Sequence, residues 1–264
     1  MNTNNTSIKQ LIRLYSHPSA HLFRAIELKT IYQKTKKLKF KSPSLDLGSG
    51  DGKIAKLLFS GKFTYGVDNG EAEDYQESID NKIYKKVLVE SAEKMSLPNA
   101  SVEFVFSNSV IEHIPDNNAV LNEVSRILRR GGHFIFTCPS DQFRYNLFIS
   151  TILNKVGLRF LSRWYIKKRN NLLNHYHLYS HIEWTKKLKK RRLKVVDYGY
   201  YITRDALLLW DKMALLRLAL RLVGTKRADG ILSYIFGKKV KEFYDQSIPH
   251  PTHGASLFIH AIKV

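Results

Sequence analysis

Cysteine is nearly absent from this 264-residue chain: Cys138 stands alone, so no disulfide can form within it and a packed core must hold the fold. Acidic residues are also scarce, with 23 Asp and Glu against 43 Lys and Arg, a formal net charge of +20. That excess attracts polyanions and leaves three readings open: a solvated lysine-rich face, an anionic membrane surface, or nucleic acid. It gathers at Lys34, Lys36, Lys37, Lys39 and Lys41, and again from Lys186 to Lys194. No run of about 18 apolar residues occurs, which argues against a plain transmembrane helix, and no secretory leader pattern is seen. The expectation is a cytoplasmic protein, with attachment at the inner face of a membrane as an option. With 44% hydrophobic residues, the length suits a single α/β domain over 1–264.

What is present is a short apolar strand, Ser44 to Leu47, that runs into Gly48-Ser49-Gly50-Asp51-Gly52 and then a helical run from Lys53 to Phe59. Glycines at alternate positions let a backbone turn pass close against a ligand. A second strand, Phe63 to Val67, delivers Asp68 about 20 residues later, where nucleotide-binding βαβ units hold a ribose diol. The glycine spacing differs from the dinucleotide pattern, and Asp46 lies just ahead of the turn. A carboxylate there repels phosphate and attracts an ammonium, which favours S-adenosylmethionine over a dinucleotide.

On these residues the chain resembles a class I, Rossmann-like S-adenosylmethionine-dependent methyltransferase of the type 11 domain branch. The similarity runs from about Leu45 to Pro139 and continues in order. A third strand, Lys85 to Glu90, precedes Ser91-Ala92-Glu93, similar to the family's adenine-side segment, with Ser91 where most relatives carry Asp. A fourth strand, Val102 to Phe106, precedes the segment Ser107 to Pro115. A helix over Asn117 to Leu128, apolar at Val120, Leu121, Val124, Ile127 and Leu128, is closed by Arg129-Arg130-Gly131-Gly132, and His133 to Cys138 forms a fifth strand. The resemblance implies a seven-stranded, mostly parallel sheet with an antiparallel last strand, helices on both faces and helical lid insertions. It implies cofactor contacts from Asp46, Gly48, Ser49, Gly50, Asp68, Asn69, Ser91, Ala92, Glu93, Asn108 and Ser109.

Outside this core, 1–41 reads as a leading helical segment, broken near His17-Pro18, with Leu22, Phe23, Ile26 and Ile31 apolar and Arg24 and Glu27 beside them. The stretch 42–139 is the cofactor-binding core and 140–182 an aromatic, basic lid. The remainder, 183–264, completes the fold with a helix at Trp184–Lys190, strands at Leu193–Ile202 and Ser256–Val264, and an insertion at 203–250. Within that insertion Ala206 to Val223 is rich in leucine, with Arg217 and Arg221 sharing a stripe with Trp210. Such a helix can pack in the lid, join a second copy in a homodimer, or lie in a membrane interface.

Methyl transfer from a sulfonium needs an oriented acceptor and, for a hydroxyl, a base. His113, just past the fourth strand, is the first candidate for that base; capping of the next turn is the alternative. His177, in the group His175-Tyr176-His177, is a supplementary candidate for base or acceptor contact, and no metal site is expected. Cys138 follows Thr137 as in RNA cytosine methyltransferases, but the second cysteine they need is missing, and so is the Pro-Pro-aromatic segment of amine-directed enzymes. The resemblance favours O-methylation of a small or lipid-linked acceptor such as a saccharide. A nucleic-acid methyltransferase is left with charge alone in its support, and a non-catalytic membrane- or nucleic-acid-binding module is the reading from another class.

Overall fold

The structure, a computed structural model, describes residues 18–59, 63–70, 75–80, 82–225 and 227–264. The first half of the expected leading helix lies outside them. The second half, after Pro18, is α1 (Pro18–Thr35). Proline is well placed at a helix start, where its missing N–H has no intrahelical partner to lose.

Seven strands form one sheet: β1 (Ser44–Leu47), β2 (Phe63–Asp68), β3 (Tyr84–Val89), β4 (Val102–Asn108), β5 (Leu128–Pro139), β6 (Leu193–Tyr201) and β7 (Ser256–Lys263). Their order is β3-β2-β1-β4-β5-β7-β6, and β7 runs antiparallel to both neighbours. This is the expected Rossmann-like arrangement. Chain order reverses direction between β1 and β4, so their C-terminal ends open a crevice of the kind where α/β sheets bind ligands. All four residues of β1 are buried, as a central parallel strand covered on both faces requires.

Between the strands lie α2 (Lys53–Phe59), α3 (Tyr75–Asp80), α4 (Asn117–Ile127), α5 (Phe148–Lys155), α6 (Arg159–Leu172), α7 (His181–Lys189), α8 (Arg204–Leu222) and α9 (Ala228–Gln246). Asp116 caps α4 by accepting from the N–H groups of Asn118 and Ala119 at 3.0 and 3.1 Å. Its apolar stripe of Val120, Leu121, Val124 and Ile127 is fully buried with Trp184 and Leu188 of α7 against one sheet face. At roughly 2 kcal/mol per side chain, that stripe alone contributes several kcal/mol. Leu22, Ile26 and Ile31 of α1 and Leu207 and Met213 of α8 cover the other face.

Two boundaries differ from expectation for local reasons. The helix α7 starts three residues before Trp184, because Ser180 and Glu183 form a reciprocal capping box. The residues Arg129 to Gly132 do not close a helix: they belong to β5, which begins at Leu128 opposite Val102. A register shift between Val102 and Phe104, with Gly131 at φ +79°, lets that strand continue into the sheet.

The leucine-rich α8 buries Ala206, Leu207 and Met213 in its first half and leaves Leu218 and Leu222 exposed in its second, where its arginines are paired within the chain. Arg217 donates to Asp229 of α9 at 2.6 Å, and Arg221 reaches the same carboxylate at 3.3 Å. Trp210 turns inward, its ring 5.9 Å from Phe23 and 5.8 Å from Phe143. Among the described residues no helix is long and apolar enough to cross a membrane.

Candidate active site

The glycine turn sits at the C-terminal end of β1, in the crevice. Gly48 and Gly50 have φ of +72° and +45°, the left-handed region that side chains resist. A Cβ on Gly48 would lie 2.3 Å from a Val110 methyl, so only glycine lets the turn pack against the segment after β4. A Cβ on Gly50 would meet nothing within 4 Å, which leaves its backbone open to the crevice. Asp68, at the end of β2, bends back over the turn: its Oδ2 accepts from Gly50 N–H at 3.0 Å and its Oδ1 from Gly70 N–H at 3.2 Å. Asn69 follows it, exposed. Beneath the turn, Ser49 is buried and its hydroxyl has no partner among the described residues.

Asp46 is not the open carboxylate expected from the sequence. It is buried in β1, its Oδ2 accepts from the Tyr84 hydroxyl at 2.5 Å, and burial pushes its carboxyl up to about 7. Tyr84 of β3 therefore claims an oxygen that sequence reasoning assigned to the ligand. Ser91 stands exposed after β3 and accepts from Glu93 N–H at 3.2 Å, so its hydroxyl caps a small turn, while Ala92 and Glu93 are half-buried beside it.

Asn108 and Ser109 end β4, and a residue from α1 draws both. Glu27 is fully buried, and its carboxylate accepts from Arg24 at 2.5 Å, Ser109 at 2.8 Å, Tyr201 at 3.0 Å and Asn108 at 3.3 Å. Asn108 also accepts from the Thr137 hydroxyl at 2.9 Å. The Asn108 side chain is thus committed below the crevice rather than offered to a cofactor. This carboxylate ties α1 to β4, β5 and β6, and sequence reading noted Glu27 only as a neighbour of an apolar face. The signal was there: an acid in mid-helix between Ile26 and Leu28, both buried, has to find partners inside.

Next to the crevice is a cavity of about 230 Å³ lined by Phe23, Arg24, Ser109, Glu112, His113, Phe143, Leu173, His175 and Trp210 among others. His113 lies in the 3₁₀ turn Ile111–His113 that follows β4. Its Nδ1 is 3.1 Å from the Asn174 carbonyl, and a carbonyl only accepts, so Nδ1 carries the proton and Nε2 keeps a lone pair. Burial lowers its pKa below the ordinary 6.5, so the ring is uncharged near pH 7. Glu112 is almost fully buried, its Oε1 3.7 Å from His113 Nε2 and its Oε2 without a partner. Burial, with Glu27 nearby, pushes its carboxyl up to about 8, leaving it mostly protonated at pH 7. His175 completes the wall, its pKa lowered to about 4 by burial and by the nearby His113 and Arg169.

His177 does not join them. Its Nε2 points between the carbonyls of Ile114 and Pro115 at 3.0 and 2.8 Å, and its Nδ1 meets the Tyr179 hydroxyl at 3.1 Å. Ring proton and lone pair are both occupied, so His177 pins the loop after His113 and His175 takes the place expected for it. His181 stacks on Tyr198, with centroids 4.3 Å apart. Among the described residues no group of three or more His, Cys, Asp or Glu could hold a metal. Cys138 is buried in β5 and its thiol is pushed up, which makes it an inert core residue.

Residues 45–136 match the family described as methyltransferase domain. The chain is 31% identical over 123 residues to the dimethylglycine N-methyltransferase of Parasynechococcus marenigrum, a match taking in 43% of this chain and 44% of that enzyme. It spans less than half the length of the curated relatives it matches first. Among solved structures, a SAM-dependent methyltransferase from Thermotoga maritima aligns over 98% of both chains with a TM-score of 0.57 and 16% identity. Phosphoethanolamine N-methyltransferase 2 of Haemonchus contortus in complex with S-adenosyl-L-methionine aligns over 91% of this chain and 52% of its own, at TM-score 0.54 and 16% identity. At such identities the two structures speak for the fold. The family match thus sets a methyltransferase domain at residues 45–136, and the two structures give the chain the fold of S-adenosylmethionine-dependent methyltransferases.

The observed residues fit that cofactor. The open backbone at Gly50, the Asp68 carboxylate and the crevice between β1 and β4 suit an aminoacyl nucleoside.

Proposed function

We propose that the whole chain transfers a methyl group from S-adenosylmethionine to a hydroxyl of a small or lipid-linked acceptor, with a saccharide as the favoured class. The observation that carries this reading is the placing of His113. The ring lines a cavity together with Ser109 and Glu112, with its Nδ1 held by the Asn174 carbonyl, and Val110 between them is the residue packed on the glycine turn. When bound, the cofactor supplies a methyl made electrophilic by its sulfonium. Gly48, Gly50 and Asp68, with Asn69 and the Ser91–Glu93 turn on the adenine side, would hold it. His113 would take the hydroxyl proton at Nε2 while the Asn174 carbonyl keeps the ring in that tautomer.

The rest of the cavity suits a polyhydroxylated ring. Phe23, Phe143 and Trp210 form an edge-on aromatic cluster that can lie against an apolar sugar face. Glu112, mostly protonated near pH 7, can donate a hydrogen bond where a carboxylate could only accept, and Arg24 and Ser109 add further polar contacts. The test is methyl transfer from label-bearing S-adenosylmethionine to a panel of monosaccharides, lipid-linked saccharides, phenols and amines. Label should enter a hydroxyl-bearing acceptor and vanish with His113→Gln. Transfer to amines alone, or full activity in that variant, would overturn the assignment.

A further inference from the structure

The lid hairpin carries a surface that the catalytic reading leaves unused. Between Asp141 and Glu183 the sequence holds no acid but seven cations: Arg144, Lys155, Arg159, Arg163, Lys167, Lys168 and Arg169. Two of these turn inward, Arg169 to Asp211 at 2.7 Å and Arg144 to the Leu178 carbonyl at 3.1 Å. The other five are exposed and form no salt bridge among the described residues. Large apolar side chains stand out between them. Every residue from 154 to 161 is exposed, with Val156 and Leu158 in the turn and Phe160 78% exposed at the start of α6. Trp164, 55% exposed, lies one helical turn on, and the Lys168 ammonium sits 6.0 Å from its ring centre.

Positions 160, 164 and 168, flanked by 159, 163 and 167, fall on one face of α6, so Phe, Trp and four cations share a single stripe. Its inner side is fixed: Ser162 is buried, its hydroxyl on the Ser150 carbonyl of α5 at 3.3 Å, and Tyr165 reaches Asp211 at 3.3 Å. The outward stripe is therefore presented by a firmly seated helix.

We propose that α5 and α6 dock this protein on an anionic phospholipid bilayer, with Val156, Leu158, Phe160 and Trp164 entering the interface and Lys155, Arg159, Arg163, Lys167 and Lys168 at head-group level. Charge complementarity selects this occupant. A second copy would set five cations against five. Nucleic acid would use the cations but has no need of exposed aliphatic and aromatic side chains standing between them. The far end of α6 leads to Leu173 and His175 in the cavity wall, so docking would hold the cavity beside the membrane surface. The docking itself does not depend on which acceptor is methylated.

The test is co-sedimentation of the full chain with vesicles of phosphatidylcholine alone and of phosphatidylcholine with about a third phosphatidylglycerol. Binding is expected only to the anionic vesicles. Exchanging Arg159, Arg163 and Lys167 for glutamine should weaken it roughly a hundredfold. The pair Phe160→Ser and Trp164→Ser, which leaves the charge intact, should weaken it by about tenfold or more. All these positions are exposed, so the variants should keep the wild-type circular dichroism spectrum, while the control pair Lys189→Gln and Lys190→Gln at the end of α7 should bind as wild type. Equal binding to neutral vesicles, no effect of the Phe160 and Trp164 pair, or an equal loss from the α7 pair would each overturn the assignment; the last two would point to a diffuse polyanion interaction instead.

Discussion

Replacing Glu112 by glutamine tests the electrostatics of the cavity without changing its shape. In the unfolded chain this carboxyl titrates near 4.5, and burial in the folded protein moves it to about 8. Between those values the folded state holds a proton that the unfolded state has lost, so stability falls as pH rises through the window and is fully present below it. At about 1.4 kcal/mol per pH unit the whole effect is on the order of 5 kcal/mol, of which roughly 3 to 4 kcal/mol should develop between pH 5 and pH 8. Glutamine cannot ionise. Urea unfolding of both proteins at pH 5, 6.5 and 8 should show the variant gaining on the wild type by that amount. Asp46, raised to about 7, contributes a similar slope to both proteins and cancels in the difference. His113 titrates on the acid side of 6.5, so the step from pH 6.5 to 8 isolates the carboxyl. A difference that stays constant across pH would refute the burial and protonation of Glu112.

Other outcomes follow from named contacts. Asp68→Asn should weaken S-adenosylhomocysteine binding by about ten- to a hundredfold in calorimetric titration, since charge-assisted hydrogen bonds contribute roughly 1.5–3 kcal/mol; unchanged affinity would remove Asp68 from the cofactor site. Glu27→Ala removes the buried acceptor shared by Tyr201, Ser109 and Asn108 and the carboxylate paired with Arg24, a loss of about 3–5 kcal/mol. Scanning calorimetry should then show a melting temperature lower by roughly 10 °C. For His113→Gln, kcat should fall about 10²- to 10⁴-fold, whereas His177→Gln should cost only a few-fold through a looser loop. The wild-type rate should decline only below about pH 6.5, because a base with a lowered pKa stays unprotonated above it; an acid limb near pH 8 would point to another group.

Much of the fold is legible in the chain because its signals are local. The apolar run of β1, the glycines that follow it and the stripe of α4 each encode their own geometry, and their order along the chain fixes a βαβ succession with the crevice after β1 and β4. His113 was within reach for the same reason, one turn past a strand end. Burial was not. The sequence could not say that Asp46 would meet the Tyr84 hydroxyl, that Asn108 would turn to Glu27, or that Glu112 would be closed off from water, since these partners lie 38, 81 and more residues apart. Nor could it distinguish His175 from His177, two residues apart with the same chemistry, because carbonyls from the loop after β4 select which ring faces the cavity. The leucine-rich α8 was a candidate for a lipid contact on composition, yet Asp229 occupies its arginines beside the exposed Leu218 and Leu222, while α6, less greasy in sequence, is left with both the aromatics and the cations of its outward stripe in solvent. Short-range patterning set the elements and the cofactor turn. Charge state, side-chain partners and which apolar face stays bare depend on what the folded chain packs against them, and only the tertiary structure decides that.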